Sequence, residues 1–120
     1  MKKSKITIDI SFNENNIPEK ISCFSSDDKT KKEIKSFMLS LWDSEKKETL
    51  KIDLWTKDML LEEMKVFICQ SILSVKHVAK RALDDDNLVN KIDKFSTEIA
   101  KEIGIVDQKK ILNIFFYKFK

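Results

Sequence analysis

The chain has 120 residues, of which 42% are hydrophobic and 36% charged, and a net charge of +3. That length suits one domain able to bury a core without disulfide or metal staples, and no run approaches the ~18 apolar residues of a membrane span. The positive balance is almost all lysine, with Arg81 the only arginine, so the bidentate arginine contacts on which nucleic-acid readers lean are missing.

The basic opening MKKSKITIDI lacks an apolar core, because Thr7, Asp9 and Ser11 interrupt it; no secretory leader is expected. From Lys5 to Phe12 the residues alternate strictly. Ile6, Ile8, Ile10 and Phe12 share one face, and Lys5, Thr7, Asp9 and Ser11 the other, which predicts a half-buried strand. NENNIP reads as a turn. Residues 19–25, EKISCFS, predict a second, weaker strand. Being short and polar, it suits an edge, with Glu19 and Lys20 discouraging foreign pairing.

After the loop Ser25–Asp28, Thr30-Lys31-Lys32-Glu33 matches a capping box,. Ile34, Phe37, Met38, Leu41 and Trp42 then recur at i, i+3, i+4, which predicts a helix ending near Asp43-Ser44,. A charged turn, Glu45–Lys47, leads to ETLKIDLWT at 48–56. This alternating strand turns Leu50, Ile52 and Leu54 inward, and Lys51, Asp53 and Trp55 outward. Asp58 is placed to cap a long helix reaching Leu83, with Glu62 and Glu63 in its first turns. Asp84-Asp85-Asp86 breaks it, and a third helix follows over Leu88–Ile103. Gly104, the chain's only glycine, stands where a left-handed residue ends a helix, with Ile105 as the following hydrophobic contact,.

The predicted order is ββαβαα. It gives an α+β fold with a three-stranded, mostly antiparallel sheet covered by helices on one face. The first and third predicted strands are expected as neighbours, in order 2-1-3. Residues 1–106 form a single α+β domain, and 107–120 a hydrophobic, aromatic C-terminal extension.

No constellation carries chemistry. The aspartate run lacks the spacing of a calcium loop, and reads as capping and solvated charge. Glu62 and Glu63 are sequence neighbours and make no facing acid–base pair. His77 is a lone imidazole with no nucleophile placed beside it. Cys23 and Cys69 are far apart, without a CxxC, and suit two reduced thiols,. No catalytic residue, cofactor or metal is expected.

Two features resist a bland reading. Trp55 points away from its strand's apolar face. It packs on the sheet's second face, or it anchors a partner, as exposed tryptophans do at interfaces. The end of the chain, KKILNIFFYKFK, fits neither the helical nor the strand period, and its apolar residues are a hazard if left in water. It is expected to be ordered, burying most of Ile111, Leu112, Ile114, Phe115, Phe116 and Phe119 on its own domain or a twin chain. The candidate partner contacts are therefore Trp42, Trp55, Phe115, Phe116 and Tyr117.

The string WDSEKKETLKIDLWTKDM, followed by EEMKVF and Gln70, resembles the gliding motility protein GldC family; the opening strand and the Ile17–Ile21 step join the likeness, from about residue 5 to Ile103. The resemblance implies a small cytoplasmic bacterial protein associated with gliding, with no assigned catalytic residues. The expected function is a non-enzymatic accessory that works through protein–protein contacts with an unidentified partner, with homo-oligomerisation left open. One alternative is a lysine-rich nucleic-acid adaptor using Lys29, Lys31, Lys32 and Lys35. Another is a small enzyme whose site forms at a homodimer interface.

Overall fold

The computed structural model describes residues 1–105 and 108–116. Five strands come first: β1 (Ile6–Phe12), β2 (Pro18–Ser25), β3 (Lys31–Ile34), β4 (Ser36–Asp43) and β5 (Glu48–Trp55). Three helices follow: α1 (Leu61–Leu83), α2 (Asp86–Glu102) and α3 (Gln108–Leu112). The fold is α+β, with a three-stranded antiparallel sheet, β1-β2-β3, and a second sheet of two strands, β4-β5. Two compact units meet in the sequence between Met59 and Leu60.

In the strand unit, β1 and β2 pair from Ile6↔Ser25 to Phe12↔Pro18, with an irregularity at Ser11/Phe12. β2 pairs with β3 from Phe24↔Lys31 to Ile21↔Ile34. Directly opposed residues share a face, so Ile10, Ile21 and Ile34 form one apolar row, with Ile8 and Cys23 beside it. Ile21 at its centre is fully buried. Each hairpin turn holds one residue in the left-handed region: Asn16, Lys29 and Lys47. Side chains close two of these turns: Asn13 Oδ1 accepts from the Asn15 and Ile17 amides, and Asp43 Oδ1 from those of Glu45 and Lys46.

Three expectations are corrected here. The helix expected from Thr30 is absent: residues 31–43 form β3 and β4, bent at Lys35. The stripe Ile34, Phe37, Met38, Leu41, Trp42 has helical spacing, but Phe37, Leu39 and Leu41 also alternate with Ser36, Met38 and Ser40. A short apolar run satisfies both periods, and cross-strand pairing with ETLKIDLW decides for strand. Thr30 spends its amide and hydroxyl on Asp28 Oδ1, at 3.1 and 2.7 Å, and caps no helix. β2 is the middle strand of its sheet, because the misread segment supplies its second neighbour. The strand at 48–55 pairs with β4, from Ser36↔Trp55 to Asp43↔Glu48, and not with β1.

In the helical unit, α1 begins at Leu61. Its first turn is closed by Glu63, whose carboxylate accepts the Leu60 amide at 3.0 Å. Asp58 does not cap it. The three aspartates divide the link to α2. Asp84 takes the left-handed C-cap of α1, the Asp85 carboxylate accepts the Leu88 amide at 3.1 Å, and Asp86 opens α2. At the end of α2 the Gly104 amide donates to the Lys101 carbonyl, and the Ile105 amide to that of Ala100. These are the two bonds of a Schellman end, and Gly104 (φ 82°) is its left-handed residue, as the sequence predicts,.

Cys69, Leu73, Ala100, Ile105 and Ile111 make the buried core of this unit, with Val66, Ile99, Ile103 and Ile114 against it. Lys76 Nζ bridges to Asp93 at 2.9 Å. Gln70 Nε2 donates to the carbonyls of Lys110 and Asn113 and ties down the end of α3. Within the single chain, the tail buries only part of its apolar set. Ile111 is buried and Ile114 half-buried, whereas Leu112, Phe115 and Phe116 stay exposed. Phe119 lies outside the described residues. A five-residue helix presents one side to the core, and Ile111 takes that side. No helix among the described residues is long and apolar enough to cross a membrane.

Candidate functional site

β4 and β5 form a ribbon whose two faces differ. Register places Phe37, Leu39, Leu41, Leu50, Ile52 and Leu54 on one face. Leu50 and Ile52 are nevertheless close to half exposed, so they do not face in as expected. The other face carries Trp55, Met38, Asp53, Ser40, Lys51 and Trp42. The two tryptophans stand at opposite ends of it, about 20 Å apart at ~3.4 Å per residue. Both are well exposed, Trp42 at 65% and Trp55 at 57%.

The segment leaving β5 fixes the Trp55 end. Thr56 is buried, and its amide donates to the Lys35 carbonyl at 2.7 Å. Its hydroxyl lies between that carbonyl and Asp58 Oδ1. The hydroxyl holds the Asp58 carboxyl below the usual carboxylate range; desolvation opposes this, and the Lys35 and Lys57 charges add to it,. The Lys57 amide reaches the Pro18 carbonyl at 3.4 Å, and Lys57 Nζ lies 3.7 Å from Glu19. The end of β5 is thereby joined to the start of β2.

Between them lies an open cleft of about 280 Å³, lined by Ile17, Pro18, Asp53, Leu54, Trp55 and Lys57. Small-molecule sites run to roughly 300–1,000 Å³, so this cleft suits one or two protein side chains better than a cofactor. Its lining contains no histidine, cysteine or serine. Asp53 is paired with Lys51 at 3.1 Å. Sequence reasoning singled out Trp55 but missed Ile17, Pro18, Lys57 and the buried Thr56. The signal was available: the cleft joins the Ile17–Ile21 step to the DLWTKDM string, the two stretches on which the family likeness leans.

The other candidates are placed separately. Trp42 lies at the far end of the ribbon. Phe115 and Phe116 belong to the helical unit, where Phe116 meets the His77 ring edge-on at 5.1 Å. Tyr117 lies outside the described residues. The four lysines of the nucleic-acid alternative form no single face: Lys29 is a turn residue, Lys31 and Lys32 alternate across β3, and Lys35 marks the bend.

Chemistry elsewhere is sparse. Among the described residues no three His, Cys, Asp or Glu side chains group to hold a metal. Cys23 and Cys69 are both free thiols, and burial pushes the Cys69 thiol up. In the helical unit a hollow of about 100 Å³ lies among Leu73, Asp93, Ser96, Thr97, Ile111 and Leu112. Its hydroxyls are already bonded, with Ser96 and Thr97 donating to the Asp93 carbonyl.

No curated protein and no solved structure matches the chain. A family model described as gliding motility-associated protein GldC-like matches residues 18–105. The matched span opens at Pro18 on the cleft wall, runs through all of DLWTKDM, and closes at Ile105, the last residue of the Schellman end. By that match the chain belongs to the gliding motility-associated GldC-like family.

Proposed function

We propose that this chain is a non-enzymatic, cytoplasmic accessory of a gliding-associated system, and that it works by seating a protein partner at the Trp55 cleft. The observation that carries this reading is an exposed tryptophan beside a hollow the size of a side chain, held on a hydrogen-bonded junction. Tryptophans in such settings dominate binding energies at protein interfaces. The cleft's one carboxylate, Asp53, is engaged by Lys51, which supports recognition over proton transfer as its chemistry.

The test uses the full chain, immobilised and exposed to native cell extract, beside Trp55→Ala and Trp42→Ala variants. One protein should be retained by the wild type and by Trp42→Ala. It should be lost by at least tenfold with Trp55→Ala, whose circular dichroism should match the wild type. Equal retention by a folded Trp55→Ala would remove the cleft from the function.

A further inference from the structure

β4 is unusual among the strands that have an outer edge. Ser36 to Trp42, seven residues, carry no charge. The other outer strands are all charged: β1 has Asp9, β3 has Lys31, Lys32 and Glu33, and β5 has Glu48, Lys51 and Asp53. Charges on an edge keep a sheet from pairing with another chain; the one charge of β4, Asp43, stands at its very end, and Ser36–Trp42 lack that protection. Its sheet also has only two strands among the described residues, and a two-stranded ribbon is marginal in water until it is extended.

The backbone fixes which residues an edge partner would meet. The Thr56 amide donates to the Lys35 carbonyl, so Lys35 turns its backbone groups toward the β5 side. By alternation Phe37, Leu39 and Leu41 do the same, while Ser36, Met38, Ser40 and Trp42 present theirs outward. Met38 and Trp42 are also exposed in their side chains.

We infer that β4 pairs antiparallel with β4 of a second copy of this chain, about a two-fold axis through Leu39. The parity is consistent. Leu39 faces its twin as a non-hydrogen-bonded pair, and Met38 exchanges bonds with Ser40 of the second copy, as Ser36 does with Trp42. Phe37 then lies against Leu41 of the second copy. Lys35 lies against Asp43, so between residues 35 and 43 the only charges opposed are of opposite sign, at both ends.

Neighbouring registers of the same parity do worse. One sets Lys35 against Leu41 and Asp43 against Glu33; the other sets Phe37 against Asp43. The favoured pairing makes a four-stranded sheet with one continuous apolar face. The residues that line the Trp55 cleft are not on β4, so the partner reading and this one stand separately.

Mass in solution tests the proposal first. Light scattering on the full chain should give twice its 14.1 kDa at micromolar concentrations. Met38→Pro removes an outward N–H that β5 does not use, a position where an edge strand tolerates proline. It should halve the mass and leave the β signal in circular dichroism unchanged.

Leu39→Cys tests the register without relying on that variant. Non-hydrogen-bonded partners lie about 4.5 Å apart at Cα, within disulfide reach. Mild oxidation should crosslink Leu39→Cys to a dimer, while Trp42→Cys and the wild type, with its two natural thiols, should not crosslink. A monomeric wild type at these concentrations would overturn the proposal. So would a dimer that persists in folded Met38→Pro, or crosslinking of Trp42→Cys without crosslinking of Leu39→Cys.

Discussion

Thr56 is the residue on which the cleft's shape depends. It is buried, and its hydroxyl serves both the Lys35 carbonyl and Asp58. Thr56→Val keeps the backbone bond but loses the hydroxyl, so it should cost about 1 kcal/mol in urea unfolding at neutral pH. The variant should also change the acid limb of stability. The folded Asp58 pKa is depressed below its ordinary value of 3.8. The stability it lends is therefore complete above that value and is lost as pH falls through the folded pKa. Without the Thr56 hydroxyl, its largest cause, the depression shrinks, and the fall in stability below about pH 4 should be shallower than in the wild type,. A second residue-scale effect concerns Lys47, held at φ 56° in the β4–β5 turn. A left-handed non-glycine residue costs about 1–2 kcal/mol, part of which glycine returns as unfolded-state entropy. Lys47→Gly should raise the urea midpoint by an amount worth about 0.5 kcal/mol, and Lys47→Val should lower it.

Among elements, legibility follows the strength of local rules. β1 and β5 were readable because alternation runs through all of Ile6–Phe12 in the first and through Thr49–Leu54 in the second. α1 and α2 were readable because long apolar stripes end at strong stop signals: Asp84 to Asp86 between them, and Gly104 after the second. β3 and β4 were not, because Ile34–Trp42 fits both periods and the decision rests on a partner strand that local sequence does not reveal. That one misreading displaced β2 from the centre of its sheet to an edge in the predicted order. The cleft was half legible. Trp55 stood out by strand parity, but Pro18 and Lys57 are brought together only by pairing across the bend at Lys35. The short helix α3 depends on a feature no pattern shows, the Gln70 amide reaching two carbonyls forty and more residues away. Gln70→Ala should therefore speed hydrogen exchange at 109–114 by tenfold or more while leaving α2 amides unchanged.

At the scale of the whole molecule, all described strands precede all described helices, and among the described residues the two units meet in sequence between Met59 and Leu60. Ile111 sits in the helical core although it lies in the segment expected as an extension. Deleting 109–120 takes out that side chain and the partners of Gln70. A large buried aliphatic removed from a core costs about 2–5 kcal/mol, so the truncated chain should lose several degrees in melting temperature. The order of the elements also bears on how the protein is made. Each strand pairs with the strand next to it along the chain, β1 with β2, β2 with β3, β4 with β5. Such neighbour pairing closes short loops and keeps contact order low, which favours fast folding. During translation every partner a strand requires within this unit has left the ribosome by the time Met59 emerges, and no strand pairing waits for the helices. β4, uncharged from Ser36 to Trp42, is hydrogen-bonded on one side as soon as β5 appears. Its outer side is left open on a nascent chain, where a neighbouring polysome product is the first twin it can meet.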